Sequence, residues 1–193
     1  MTRLAVRAAT AALATAAALF AAPPVQADVA RPPLPDATDE AFNEACLTAH
    51  NAYRARHGAL PLVLDDAAVA HARRRAADAS TVEGPGAVPG SRAGYGENRY
   101  WSASYEDEAA ACAAAVDLWY DGVAHYDWAN PGFTRGAGTF TQLVWKSSRK
   151  LGCARAAGRA PGAEWHETYV VCAYSPAGNI TGRFPANVAA PTP

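Results

Sequence analysis

The sequence has no long run of like charge: 17 Lys and Arg stand against 18 Asp and Glu in 193 residues, and Arg73, Arg74 and Arg75 form the only basic triplet. Nucleic-acid binding draws its affinity from clustered cations, so that class of partner is excluded. No apolar stretch reaches the roughly 20 residues of a membrane-spanning helix, which argues against stable membrane insertion. There is no internal repeat. Charged residues at 18% and aromatics at 9% are too little charge and too much hydrophobe for disorder. One domain with tails folding around its own core is the expectation.

Generic catalytic signatures are also missing. Gly94-Tyr95-Gly96 opens like a dinucleotide loop, but Arg99 stands at the third glycine position, so phosphate binding is not supported. Ser147-Ser148-Arg149-Lys150 holds a Ser-x-x-Lys without the companion Ser-Asp-Asn and Lys-Thr-Gly of penicillin-recognising enzymes. No His-Glu-x-x-His sets two imidazoles on one metal-facing surface, so His50, His57 and His71 read as surface or hydrogen-bonding side chains. His125-Tyr126-Asp127 and His166-Glu167 put acid beside base, yet adjacent residues point in different directions and make poor catalytic pairs.

What is present begins with a leader. Arg3 and Arg7 precede the apolar run Ala8 to Ala22, which closes on Val25-Gln26-Ala27; this pattern predicts a secretory signal over residues 1–27, cleaved before Asp28. Its loss removes two Arg and no acid, leaving 15 basic against 18 acidic residues and a charge of −3. The expected location is extracellular, or periplasmic if the source is a Gram-negative bacterium, and the expected state is a soluble monomer.

Export gives the four cysteines their meaning, because an oxidising compartment allows all of them to pair. Three connectivities exist. Cys46 and Cys112 fall in helix-like segments and Cys153 and Cys172 in strand-like ones, so joining like elements pairs Cys46 with Cys112 and Cys153 with Cys172. Without a Cys-x-x-Cys or Cys-x-x-His spacing, a zinc reading of these cysteines is weak.

Residues 28–37 are Pro-rich and predict an extended tail. From the N-cap candidate Thr38, Phe42, Cys46, Ala49 and Tyr53 recur at helical spacing up to a stop near Gly58. Asp65 can cap a second helix with Ala68, Ala72 and Ala76 on one face and the Arg triplet on its solvated side. Residues 80–96 read as a Gly- and Pro-rich loop leading to a short strand, Glu97 to Trp101. Ser104 with Asp107 resembles a capping box opening a third helix through Cys112, Val116, Trp119 and Val123. Thr139 to Lys146 predicts a short buried helix, and Leu151 to Ala156 and Thr168 to Tyr174 predict strands. Helices first and strands last give an α+β class.

Several motifs in order then resemble one family. Asn130-Pro131-Gly132-Phe133-Thr134, Gly138-Thr139-Phe140-Thr141-Gln142-Leu143-Val144-Trp145-Lys146-Ser147-Ser148 and Leu151-Gly152-Cys153 are similar to the signature of the CAP superfamily, the cysteine-rich secretory proteins, antigen 5 and pathogenesis-related proteins that share the SCP domain. His50-Asn51-Ala52-Tyr53-Arg54, Tyr95-Gly96-Glu97-Asn98 and Tyr174-Ser175-Pro176-Ala177-Gly178-Asn179 match further motifs, and Asn187-Val188 resembles the Golgi-associated pathogenesis-related branch. The likeness runs from about Phe42 to about Val188, giving a domain over 38–188 and a tail over 189–193.

The resemblance implies an α-β-α sandwich with a three-stranded antiparallel sheet between helical layers and a central cleft. Family members place two His and two acidic side chains there, and some bind zinc. Here Glu97 matches one acid, Thr139 stands where a histidine is expected, and Gly122, beside Asp121, stands where the second acid is expected. No histidine occurs between His71 and His125 to supply the remaining ligand. The resemblance thus implies no metal and no cofactor. Glu97 is expected to accept from the Thr139 hydroxyl and nearby helix amides, and is also the one candidate acid or base of a metal-dependent or Glu97-assisted hydrolase. Relatives that bind sterols or fatty acids suggest a non-enzymatic binder of such molecules, with Tyr95, Tyr100, Trp101 and Tyr105 as wall candidates. An extracellular module with an unknown protein receptor is the remaining possibility.

Overall fold

The computed structural model describes residues 31–85 and 94–192. The signal over 1–27 and residues 86–93 of the Gly- and Pro-rich loop lie outside the described residues. Five helices and four strands follow in the order α1 Glu40–Arg56, β1 Val63–Leu64, α2 Asp66–Ala79, β2 Gly96–Ser104, α3 Cys112–Tyr120, α4 Gly138–Leu143, β3 Lys150–Arg159, β4 His166–Ser175 and α5 Phe184–Asn187. A 3₁₀ turn, Asp121–His125, continues α3.

The helix ends follow from their caps. Asp39, not Thr38, caps α1 by accepting from the Phe42 amide at 2.7 Å, and Asp65 caps α2 through the Ala68 amide at 3.0 Å, as its sequence predicts. The expected capping box at Ser104 does not form a helix. Ser102, Ala103 and Ser104 instead pair with Thr168, Glu167 and His166, so long-range strand pairing overrides the local signal and α3 starts eight residues later at Cys112.

The expected antiparallel sheet is present as β3-β4-β2, and the two-residue β1 adds a parallel fourth strand beside β3. β4 is central and covered on both faces. Its alternation splits the core in two. Val170, Cys172 and Tyr174 face α1, α3 and α4 in a cluster with Trp119, Phe140 and Trp145; Tyr169, Val171 and Ala173 face Ala68, Ala72 and Ala76 of α2. The small stripe lets α2 approach so closely that a Cβ on Gly152 would fall inside the backbone at Ala68 and Val69.

The disulfides are Cys46–Cys112 and Cys153–Cys172, and no described cysteine is free. One ties α1 to α3. The other joins directly opposed positions of β3 and β4, 4.1 Å apart at Cα.

The first and last described segments dock on the domain. From Arg31 the Pro-rich segment runs along β3, with the Ala37 amide donating to Arg155 O and the Ala157 amide to Pro35 O. The Arg31 guanidinium meets buried Glu167 at 2.6 Å. At the other end Ala189 O accepts from the His57 ring at 2.7 Å, and the Thr192 amide donates to Arg56 O.

Candidate functional site

The cleft opens between β2 and α4. It has a volume of about 390 Å³ and is bordered by Glu97, Asn98, Phe133, Arg135, Thr139 and Asn179. Its floor is a hydrogen-bonded chain. Asn98 Nδ2 donates to Thr139 O at 2.9 Å and to the Tyr174 hydroxyl at 3.1 Å. That hydroxyl lies 2.8 Å from His50 Nε2, whose Nδ1 lies 2.7 Å from Cys46 O. A carbonyl can only accept, so Nδ1 carries the proton and Nε2 accepts from Tyr174. Full burial pushes the His50 pKa down to about 4 and the Tyr174 pKa well up, so both are neutral at pH 7.

Glu97 borders this cleft but spends its carboxylate elsewhere. His71 Nε2 is 2.8 Å and Arg75 Nε 3.0 Å from Oε1, and Arg99 Nε is 3.6 Å from Oε2. The expected bond from Thr139 is not the one formed: its hydroxyl donates to Trp119 O at 3.3 Å. His71 and Arg75 lie four residues apart, one above the other on α2. That i, i+4 spacing was the available signal for a pair aimed at the sheet, and the reading of the Arg triplet as a solvated face missed it for Arg75.

The position of the second acid is filled. Gly122 is buried, and a Cβ there would meet Gly136 O at 2.8 Å and Phe140 Cβ at 3.1 Å. No side chain fits, because the segment before α4 has closed over the place where one would project. Asp121 beside it is exposed. A zinc ion needs about three protein ligands with free lone pairs. The cleft offers Glu97, already bonded by α2, and a Thr hydroxyl that donates to a carbonyl, so these residues do not fit a metal.

The residues around the cleft serve the core. Gln142, on the same helix as Thr139, accepts from the Gly178 amide at 2.9 Å and donates to Ser148 Oγ. A Cβ on Gly96 or Gly178 would collide with its amide. Arg54, fully buried, makes five hydrogen bonds to the carbonyls of Leu60, Leu143, Trp145 and Ser148. Burial lowers its pKa to about 10, which still leaves it charged at pH 7. The motif glycines, Gln142 and Arg54 are therefore one knot joining α1, α4, β2 and the segment after β4.

The four aromatic candidates do not form one wall. Tyr95 stacks on His71 at 4.6 Å, and Tyr105 is 74% exposed. Tyr100 and Trp101 do come together, in a second, smaller pocket of about 100 Å³ with Ala79, Tyr169 and Val171. Beside it, fully buried Glu167 accepts from Trp101 Nε1 at 3.1 Å, from the Tyr169 hydroxyl at 2.5 Å and from Arg31. These partners hold the Glu167 carboxyl below its ordinary range against the effect of burial, while burial first and the Glu167 carboxylate second raise the Tyr169 hydroxyl.

Comparison with known proteins places these observations. A family model described as "Cysteine-rich secretory protein family" matches residues 47–174. Golgi-associated plant pathogenesis-related protein 1 of Homo sapiens is 38% identical over 153 residues, 78% of this chain and 94% of that protein. Protein PRY2 of Saccharomyces cerevisiae is 45% identical over 74 residues, 38% of this chain, which spans only 21% of the yeast protein. Among solved structures, NaASP2 with Zn²⁺ superposes with a TM-score of 0.59 at 25% identity, covering 82% of this chain and 90% of that one. BmVAL-1 gives 0.62 at 22% identity, over 81% and 86%.

Proposed function

Given that the chain belongs to the cysteine-rich secretory protein family, we propose that it is a secreted, non-enzymatic binding module for an apolar small molecule such as a sterol or fatty acid, held at the pocket of Tyr100 and Trp101 rather than in the cleft. The observation that supports this reading is that pocket: its walls are mainly aliphatic and aromatic, and its volume is about 100 Å³. Ligand pockets that enclose a whole drug-sized molecule run from about 300 Å³. The bound part is therefore a chain end or ring edge, and the rest of the ligand lies over the adjoining surface. Each buried methylene contributes about 0.8 kcal/mol, so four contribute about 3 kcal/mol and select for length more than for headgroup.

Native mass spectrometry of the oxidised protein with a sterol series and a fatty-acid series tests the proposal. A saturable one-to-one adduct, weakened at least about tenfold by Trp101→Ala, supports it. No adduct, or one unchanged by Trp101→Ala, sinks it.

One observation favours the alternative of a Glu97-assisted hydrolase: His71 and Glu97 sit together at 2.8 Å on the cleft border. Arg75 takes the same carboxylate, which opposes a role as general base, since the oxygen that would accept a substrate proton already accepts from α2. A hydrolytic activity abolished by Glu97→Gln would restore that alternative.

A further inference from the structure

The two disulfides are not separate staples. Cys46, Cys112, Cys153 and Cys172 are all buried, and their four sulfur atoms lie within 4.8 Å of one another. Among the described residues they are the group of His, Cys, Asp and Glu ligand atoms close enough to share a metal ion. Spacing in sequence conceals this, because the cysteines come from α1, α3, β3 and β4 and no two stand three residues apart.

We infer that the reduced chain carries a closed tetrathiolate zinc site at these four cysteines, so that one core can be cross-linked either by two disulfides or by one metal ion. A tetrahedral zinc with Zn–S bonds of about 2.3 Å separates its sulfurs by about 3.8 Å. The separations across the two pairs therefore need to close by no more than about 1 Å once the bonded sulfurs part. Cys46 and Cys112 come from the helices α1 and α3 and Cys153 and Cys172 from opposed positions of β3 and β4, so the helix pair and the strand pair each supply two corners. The site would hold no water and no open position, the arrangement of a structural rather than a catalytic zinc.

Burial in the apolar core disfavours free thiolates, so the metal's own charge must hold them, and one local feature helps at Cys112. Cys112 is the first residue of α3, and its N-cap, Ala111, has no side chain to occupy the first-turn amides. An anionic sulfur at that end is favoured by those amides and by the helix dipole. The metal is thus assigned to the centre of the core, away from the cleft whose residues do not fit one.

The chemistry balances as follows. Each disulfide takes two electrons from a phosphine, with water supplying two protons and the oxygen of the phosphine oxide, which leaves four thiols in all. Zn²⁺ then displaces four thiol protons. Oxidation by two equivalents of a small disulfide such as oxidised glutathione, with four protons taken back from water, returns the two protein disulfides and four small thiols and releases the ion.

The test is a Zn²⁺ titration of the phosphine-reduced protein, read by native mass spectrometry and circular dichroism, with Co²⁺ as a spectroscopic stand-in. One zinc per chain, a thiolate-to-cobalt charge-transfer band and recovery of the near-ultraviolet signal of the oxidised fold are expected. Cys153→Ser should weaken binding at least about a hundredfold. Cys172→His keeps four ligands, and should retain one metal ion with a shifted cobalt spectrum. Glu97→Gln lies outside the sulfur cluster, and should keep one zinc per chain and the same cobalt band. The inference is overturned by zinc that survives Cys153→Ser, by zinc lost in Glu97→Gln, or by zinc bound without recovery of tertiary structure.

Discussion

Thr139 and Gln142 sit one turn apart on the same six-residue helix, and they are held in opposite ways. Gln142 is enclosed: the Gly96 and Gly178 backbones close on its amide, and Ser148 accepts from it. Thr139 stands at the open cleft border with its hydroxyl donating to Trp119 O, and beside it Gly122 has no room for a side chain because Gly136 O fills the place. The knot around Gln142 and Arg54 is stability, and the cleft a few ångströms away is chemistry. A chain can keep the whole of the first while losing most of the second, so motif strength measures fold membership far better than it measures activity.

The largest expected effect lies in the knot. Arg54→Met leaves the carbonyls of Leu60, Leu143, Trp145 and Ser148 without their buried donor and should cost about 4 kcal/mol, measured by urea denaturation. A loss under 1 kcal/mol would show that water reaches those carbonyls and that the knot is not sealed. Gly152→Ala places a methyl inside the α2 backbone and should cost about 3 kcal/mol, because a helix must shift rather than a side chain.

Acid probes the same region without a mutation. His50 is neutral in the fold with a pKa of about 4, against 6.5 in the unfolded chain. The unfolded state binds the extra proton, so stability is complete above about pH 6.5 and declines as pH falls toward 4. The loss is about 3 kcal/mol. Lowering of the His57 pKa by burial adds in the same direction. His50→Gln should flatten this slope in a thermal-denaturation series, and an unchanged slope would locate the effect elsewhere.

At the cleft the expected effects are small. Thr139→His restores one side chain at an open border and should change stability by less than about 0.5 kcal/mol. It should confer no zinc affinity, because the opposing acid position has no room. Zinc gained by this single change would show that the segment over Gly122 opens readily and would weaken the contrast between knot and cleft.

Much of this was legible in the sequence. The Asp65 cap, the Ala68, Ala72 and Ala76 stripe and both disulfides all rest on local pattern or on residue type. The start of α3 was not, since the Ser104 to Asp107 signal is local and the pairing of β2 with β4 spans more than 60 residues. The partners of Glu97 were missed for a related reason. They lie 22 and 26 residues away on α2, and only the docking of that helix on the sheet aims them at the carboxylate. Proximity of the four sulfurs is likewise a property of packed layers and of no segment alone.

Zinc titration of the oxidised protein, followed by native mass spectrometry, tests the separation of scaffold from chemistry most directly. With the cysteines locked in disulfides, the titration reads the cleft and not the sulfur core. No saturable zinc adduct is expected at concentrations that load a structural site. A tight one-to-one adduct that disappears in Glu97→Gln would mean that Glu97 leaves His71 and Arg75 for a metal, and that the cleft has kept the chemistry denied to it here.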